Sequence, residues 1–153
     1  MIQQKIIITK YHPKYAIQTV TMWRASKEKA IRQKENHSFE NHVYFLNHIL
    51  PENFQIQLAL FDEKVVGMIA YNKSEISQLY IHQDYQGMGI GKVLLEKAKS
   101  ESSGRLTLYT FEVNKNAQRF YETHGFKRIG SGFENEENLP DIQYEWVGEK
   151  ILE

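Results

Sequence analysis

Apolar positions along the chain change period repeatedly, and each change predicts a change of element. Ile6, Ile7 and Ile8 form a β-branched run that reads as a first strand. Pro13 follows where the opening turn of a helix tolerates proline, and Ala16, Val20, Trp23, Ala30 and Ile31 recur at helical spacing. Ser38 can cap a second helix whose apolar positions Phe39, Val43, Leu46 and Leu50 keep the i, i+4, i+7, i+11 pattern until Pro51 ends it. Phe54, Ile56, Leu58 and Leu60 then alternate with Gln55 and Gln57, the period of two that marks a half-buried strand. Asp62-Glu63-Lys64 reads as a turn into a strand over 65–71, so a hairpin is expected.

A further strand over 76–81 leads into a glycine-rich segment and a helix from about 91 to 100, with Ile90, Leu94 and Ala98 on one face and Gly104 as its stop. A strand over 106–111 is followed by Asn114 as an N-cap and by Ala117, Phe120, Tyr121 and His124 on one face of a short helix closed by Gly125. Strands over 126–130 and 142–147 finish the chain. The order β, α, α, β, β, β, α, β, α, β, β predicts an α/β fold, a mixed sheet with helices packed on it.

Composition narrows the partners. The 153 residues fit one domain spanning 1–153, long enough to bury roughly 68–70% of the unfolded surface, and no repeat or Pro/Gly/Ser linker divides them. No cysteine is present, which excludes disulfides, thiolate metal sites and a cysteine nucleophile and agrees with a cytoplasmic location. Nineteen Lys and Arg balance nineteen Asp and Glu, so the field of the whole protein does not draw it to nucleic acid or to an anionic membrane. The apolar run at the N-terminus is too short for a signal peptide, and no stretch nears the ~20 apolar residues of a membrane span. Six histidines without ligand spacing give no metal site.

Strand, glycine-rich turn and helix together form a device for phosphate, because small residues let the backbone approach and the free N–H groups of a helix start point at the anion. The P-loop pattern fails, with Gln86 where its first glycine belongs and Val93 after Gly91-Lys92. The dinucleotide fingerprint fails as well, since Gly87 and Gly89 would need a glycine at Lys92. What fits is [Q/R]-x-x-G-x-[G/A], as Gln86, Gly89 and Gly91. Here, from Leu79-Tyr80-Ile81 through Gln86 to Lys92-Val93-Leu94-Leu95, the sequence resembles the GCN5-related N-acetyltransferase (GNAT) superfamily. A second signature, N-x-x-A-x-x-[FL]-Y-x-x-x-G-F, is matched by Asn114, Ala117, Phe120, Tyr121, Gly125 and Phe126. Together they cover roughly 76–126, while the N-terminal third matches only in element order.

The resemblance implies a mostly antiparallel sheet of about six or seven strands flanked by about four helices. It implies acetyl-CoA as cofactor, an amine of a small molecule or peptide as acceptor, and admits a homodimer. The strand ending at Ile81 is expected to splay from the strand over 106–111, with Leu79, Tyr80 and Ile81 offering main chain to the pantetheine arm. Gln86, Gly87, Met88, Gly89, Ile90 and Gly91 are expected to hold the pyrophosphate through backbone N–H groups, with Lys92 adding charge or simply solvated. Ala117 and Phe120 belong to the same cofactor signature. Asn114 caps the last helix or touches the cofactor, and the two roles are compatible.

Glu75 lies eleven residues before Gln86, the spacing at which histone-modifying members carry a general base. With a reference pKa of ~4.3 it is a poor direct base for an ammonium of ~10.4, so relay through water is the form that role takes, and an exposed strand-end carboxylate is the competing reading. Tyr121 matches the tyrosine that protonates the departing thiolate, against a competing role as core aromatic. His82 reads as a surface residue at a strand end. Trp23, Tyr44 and Tyr109 are aromatic candidates for the acceptor pocket, and Glu134, Glu136 and Glu137 form an acidic loop that either attracts a cationic amine or is a solvated turn. A non-catalytic acyl-CoA-binding module and a mononucleotide-binding protein are the alternatives to an enzyme.

Overall fold

Asp62 and Glu63 both take left-handed backbone angles (φ 47° and 63°), so two residues suffice to turn the chain in the geometry whose twist suits a hairpin. In the computed structural model, which describes residues 6–148, that turn joins β2 (Gln55–Phe61) to β3 (Lys64–Tyr71). β1 (Ile6–Lys10) pairs with β2, and β4 (Ile76–Ile81) with β3, giving an antiparallel sheet in the order β1-β2-β3-β4. β5 (Arg105–Phe111), β6 (Lys127–Gly132) and β7 (Asp141–Val147) form a second antiparallel sheet in the order β5-β7-β6. The expected mixed sheet is thus two antiparallel halves, joined by one parallel bridge between Glu75 and Thr107. The first five residues of the N-terminal run lie outside the described residues.

Four helices cover the halves: α1 (Ala16–Ile31), α2 (Phe39–Tyr44), α3 (Ile90–Ser100) and α4 (Lys115–Thr123). On one side Leu94, Leu95 and Ala98 of α3 pack with Leu106, Leu108, Ile142 and Tyr144. On the other, Val20 and Trp23 of α1 pack with Leu46, Leu58 and Met68. Burial of these side chains at about 25 cal/mol per Å2 of apolar surface is what fixes α1 and α3 to the sheet.

The second helix departs from its expected form. Ser38 does cap it, its hydroxyl accepting from the N–H of Asn41 at 3.1 Å. Beyond Tyr44 the coil widens to a π turn over Phe45–Ile49 and then tightens to a 3-10 turn over Leu50–Glu52. Pro51 has no N–H for the regular i→i−4 bond and its ring clashes with the carbonyl four residues back, so the regular coil cannot reach it. The changed register buries Leu46 and Leu50 while leaving Phe39 exposed and Val43 half-buried.

His42 of α2 lies edge-on to Trp23, ring centroids 4.2 Å apart. Burial, with the Arg24 guanidinium nearby and against the opposing pull of Glu35, pushes its pKa down to about 4. Above pH ~6.5 neither folded nor unfolded chain binds this proton; as pH falls towards 4 only the unfolded chain binds it, so stability is lost across that window. The expected loss is about 3 kcal/mol at 1.36 kcal/mol per pKa unit, read as the change in urea unfolding free energy between pH 7 and pH 4. His42→Phe should remove that share of the slope; an unchanged slope would show that another group titrates.

Candidate active site

β4 carries an extra residue. Tyr71 pairs with Ile76 and Ala70 with Gln78, so Ser77 is bulged out of the ladder. A bulge inverts side-chain parity, and Ile76 and Leu79 accordingly face the same α3/α4 core although three positions separate them. Gln78 and Tyr80 turn to the other face, where Tyr80 packs against the α1 cluster.

Where β4 begins, the Thr107 N–H donates to the Ser74 carbonyl at 3.0 Å and the two halves touch. Past that point β4 bonds only to β3 and β5 only to β7. The strands part into a cleft of about 820 Å3 whose walls include Gln78, Leu79 and Tyr80 of β4, Leu108 to Phe111 of β5, and Asn114, Ala117 and Tyr121 at α4. The end of α1 (Lys27, Ala30, Ile31) and the β6–β7 loop (Glu134, Asn135, Glu137) close its far side. Unpaired strand edges of this kind offer main-chain groups that an extended ligand can bond.

The glycine-rich segment behaves as a backbone device. Gly87 and Gly89 take φ 78° and 84°, conformations that side chains rarely adopt, and a Cβ on either would meet nothing within 4 Å. Among the described residues, the N–H groups of 87–92 donate to no protein acceptor, and no side chain caps α3. Such a row of free donors at the positive end of a helix dipole suits a diphosphate. Ile90 is buried in the core and anchors the turn. Gly91 has a different role, since a Cβ there would press the Phe120 ring of α4 at 3.2 Å. Phe120 spends its ring on that contact and on His124 (4.6 Å).

Tyr121 is buried, 7% exposed, with its ring 5.5 Å from Phe126 and 6.2 Å from Tyr144. Its hydroxyl makes no hydrogen bond among the described residues, yet the residue lines the cleft. Tyr80 lines the same cleft and stacks on Trp23 at 6.2 Å. Burial raises the pKa of both phenols, Tyr121 further through Tyr80, and Tyr80 further through the carboxylates of Glu137 and Glu35. Both are therefore neutral donors at physiological pH.

The remaining expected residues divide. Leu79, Tyr80, Asn114, Ala117 and Tyr121 meet in the cleft, and Asn114 also caps α4, its Oδ1 accepting from the Ala117 N–H at 3.2 Å. Ile81 does not line it, and its carbonyl already accepts from Ser26 Oγ (3.2 Å) and Gln86 Nε2 (3.3 Å). Met88 and Lys92 are exposed. Glu75 stands at the closed end, outside the lining, with Ile76 the first residue of β4 that reaches it. His82 caps a short turn, accepting from the Asp84 N–H at 3.1 Å. Tyr109 lines the cleft, Trp23 is core and Tyr44 is exposed elsewhere.

Two residues were missed by sequence reasoning. Lys27 donates to Glu137 at 2.7 Å and to Glu35 at 3.2 Å, tying α1 to the loop before α2 and to the β6–β7 loop. Lys27 shares a helical face with Trp23, Ala30 and Ile31, and a lysine on an apolar face was the available signal. Glu35 gave none. Among the described residues no helix is long and apolar enough to cross a membrane.

A split sheet, a cleft between its halves and a glycine turn with free N–H groups are the features an acyl-CoA-dependent transferase requires, and comparison with known proteins agrees. The sequence profile of the acetyltransferase (GNAT) domain matches residues 22–147, and the chain belongs to that family. It is accordingly an N-acetyltransferase that uses acetyl-CoA. It is similar to the peptidyl-lysine N-acetyltransferase YjaB of Salmonella typhimurium, 30% identical over 118 residues that span 72% of this chain and 76% of that protein. The solution structure of apo YjaB from Escherichia coli superposes with a TM-score of 0.77 at 24% identity, covering 95% of this chain and 99% of the other. PaiA N-acetyltransferase from Thermoplasma acidophilum, solved with coenzyme A, gives 0.73 at 20% identity, covering 94% and 99%. At such identities the two structures speak for the fold alone.

Proposed function

We propose that this chain transfers an acetyl group to a primary amine of a small molecule or protein by direct attack in a ternary complex. The observation that carries the reading is the row of free N–H groups at 87–92, just past the strand whose open edge lines the cleft, together with Tyr121 in that cleft, a buried residue whose hydroxyl has no hydrogen-bond partner among the described residues. The absence of cysteine leaves no thiol for an acyl-enzyme. When bound, acetyl-CoA supplies the acetyl group as a thioester.

In this reading the N–H groups of 87–92 hold the pyrophosphate and the open edge of β4 around Leu79 bonds the pantetheine arm. Attack by the amine forms the C–N bond, breaks the C–S bond, frees one proton from nitrogen and returns one to sulfur. A lysine-like ammonium must first lose a proton, at a cost of about 4.6 kcal/mol at pH 7. Glu75 stands outside the lining, so it can take that proton only through water. Tyr121 donates a hydrogen bond to sulfur as its charge grows. Full transfer from an ordinary phenol to a thiolate is already uphill by about 2 kcal/mol, and burial makes Tyr121 a weaker acid still. Stabilisation of charge is therefore its contribution.

The similar protein from Salmonella is named for peptidyl-lysine, so lysine peptides are the first acceptors to try. Acetyl-CoA at about 100 times its Kd should stabilise the fold by about 2.7 kcal/mol, a rise of a few degrees in Tm. Lysine peptides and simple amines should then release free thiol. Stabilisation without thiol release from any amine would leave a cofactor-binding module and remove the catalytic reading.

A further inference from the structure

The cleft and the turn that follows β4 differ in charge. Beyond the end of β4, outside the cleft lining, the protein presents free N–H groups and a helix N-terminus. At the far end the charged side chains lining the cleft are Lys27, Glu134, Glu137 and Asp141. Lys27 is already held by Glu137 (2.7 Å) and by Glu35 behind it (3.2 Å). Burial alone would push the Lys27 pKa down, but its two carboxylate partners outweigh burial and raise it, so it stays charged and is no base. One cation thus stands against three carboxylates in the lining, in a protein whose total charge is zero. The imbalance is local, and it repels the anionic cofactor from this end.

The acidic loop is not simply a solvated turn. Glu137 fastens it to α1 through Lys27, and Glu136 pairs with His37 at 2.8 Å. Asp141 accepts from Asn135 Nδ2 at 3.1 Å, which holds the loop's shape. Glu134 has no such duty: it is exposed, lines the cleft and pairs with no cation among the described residues. Independently of these carboxylates, Tyr121, buried and with no hydrogen-bond partner for its hydroxyl among the described residues, lines the same cleft.

We propose that this end of the cleft selects acceptor amines that carry a second positive charge near the amine to be acetylated, with Glu134 as the residue that reads it. The inference rests on the N-acetyltransferase reading and names its substrate class. Either a protein lysine with basic neighbours or a small polyamine has this chemistry. An acceptor with a carboxylate beside its amine meets repulsion instead.

The test uses end-blocked peptides with one lysine flanked by arginine, alanine or glutamate, together with 1,5-diaminopentane and pentylamine. kcat/KM should be about ten-fold higher for the arginine-flanked peptide than for the glutamate-flanked one, and higher for the diamine than for the monoamine. The ratio should shrink when salt rises from about 0.1 M to about 1 M, as the screening length falls from about 10 Å to about 3 Å. Glu134→Gln should shrink it and Glu134→Lys invert it, with Tm and the Kd for acetyl-CoA unchanged. Whichever dication has the higher kcat/KM assigns the source as protein or polyamine. Equal rates across flanking residues, or a ratio untouched by Glu134→Lys, would overturn this inference alone. Acetyl-CoA binding with no thiol release from any acceptor would overturn the catalytic reading and this one with it.

Discussion

Tyr121→Phe should lower kcat at least ten-fold while acetyl-CoA binds as before. Among the described residues the hydroxyl has no partner, and the ring is packed among Phe120, Phe126 and Tyr144, so phenylalanine keeps the packing and leaves no orphaned group behind. Stability should be unchanged within about 0.5 kcal/mol, because deletion of an unpaired polar atom removes no hydrogen bond. A hydrogen bond to a charged group contributes about 1.5–3 kcal/mol, or roughly ten- to 150-fold in rate. The readouts are kcat from thiol release and Kd from calorimetry. Full turnover in the variant would return Tyr121 to the core and take the charge-stabilising role from it.

Gly89→Val should raise the Kd for acetyl-CoA at least thirty-fold. Among the described residues nothing lies within 4 Å of a Cβ at this position, so the substitution meets no clash there. What it does meet is φ 84°, a left-handed conformation that costs a branched residue about 1–2 kcal/mol. The free protein should lose about that much stability. Relaxation towards negative φ swings the flanking N–H groups out of line, and each charge-assisted bond lost is worth about 1.5–3 kcal/mol. The side chain also enters the open space those groups face. If the variant lost stability but bound acetyl-CoA as tightly as before, the pyrophosphate would have to lie elsewhere.

The contrast with Gly91 shows why a glycine motif has to be read in three dimensions. Its spacing places it beside Gly89 as one element of a cradle, yet its missing side chain makes room for the Phe120 ring at 3.2 Å. Only its N–H remains available to an anion.

Much was legible in the chain itself. The helical face of Leu94 and Ala98 and the turn at Asp62 follow from period and turn chemistry and form as read. The alternation over 54–60 gives the strand but not its burial, since Gln57 and Ala59 are as buried as Ile56, Leu58 and Leu60 in a strand covered on both faces. The glycine turn with its free N–H groups is legible for the same reason: strand, glycines and helix start lie within about fifteen residues, and free N–H groups are a local property of a helix end. Asn114 and Tyr121 follow from the second signature, seven residues apart on one short helix.

Tertiary structure decided the rest. The bulge at Ser77 inverts the parity of β4 and turns Tyr80 to Trp23, and a bulge is chosen by the strand it pairs with rather than by the residues that form it. The helix after Ser38 ends in a π turn and a 3-10 turn that contains Pro51, a change of coil that the apolar spacing did not show. Lys27 and Glu137 stand 110 residues apart, and no periodicity spans that interval. Patterns along the chain record what each segment buries and bonds within itself. Contacts between distant segments, which give the cleft its charged end, exist only once the two sheets have closed on one another.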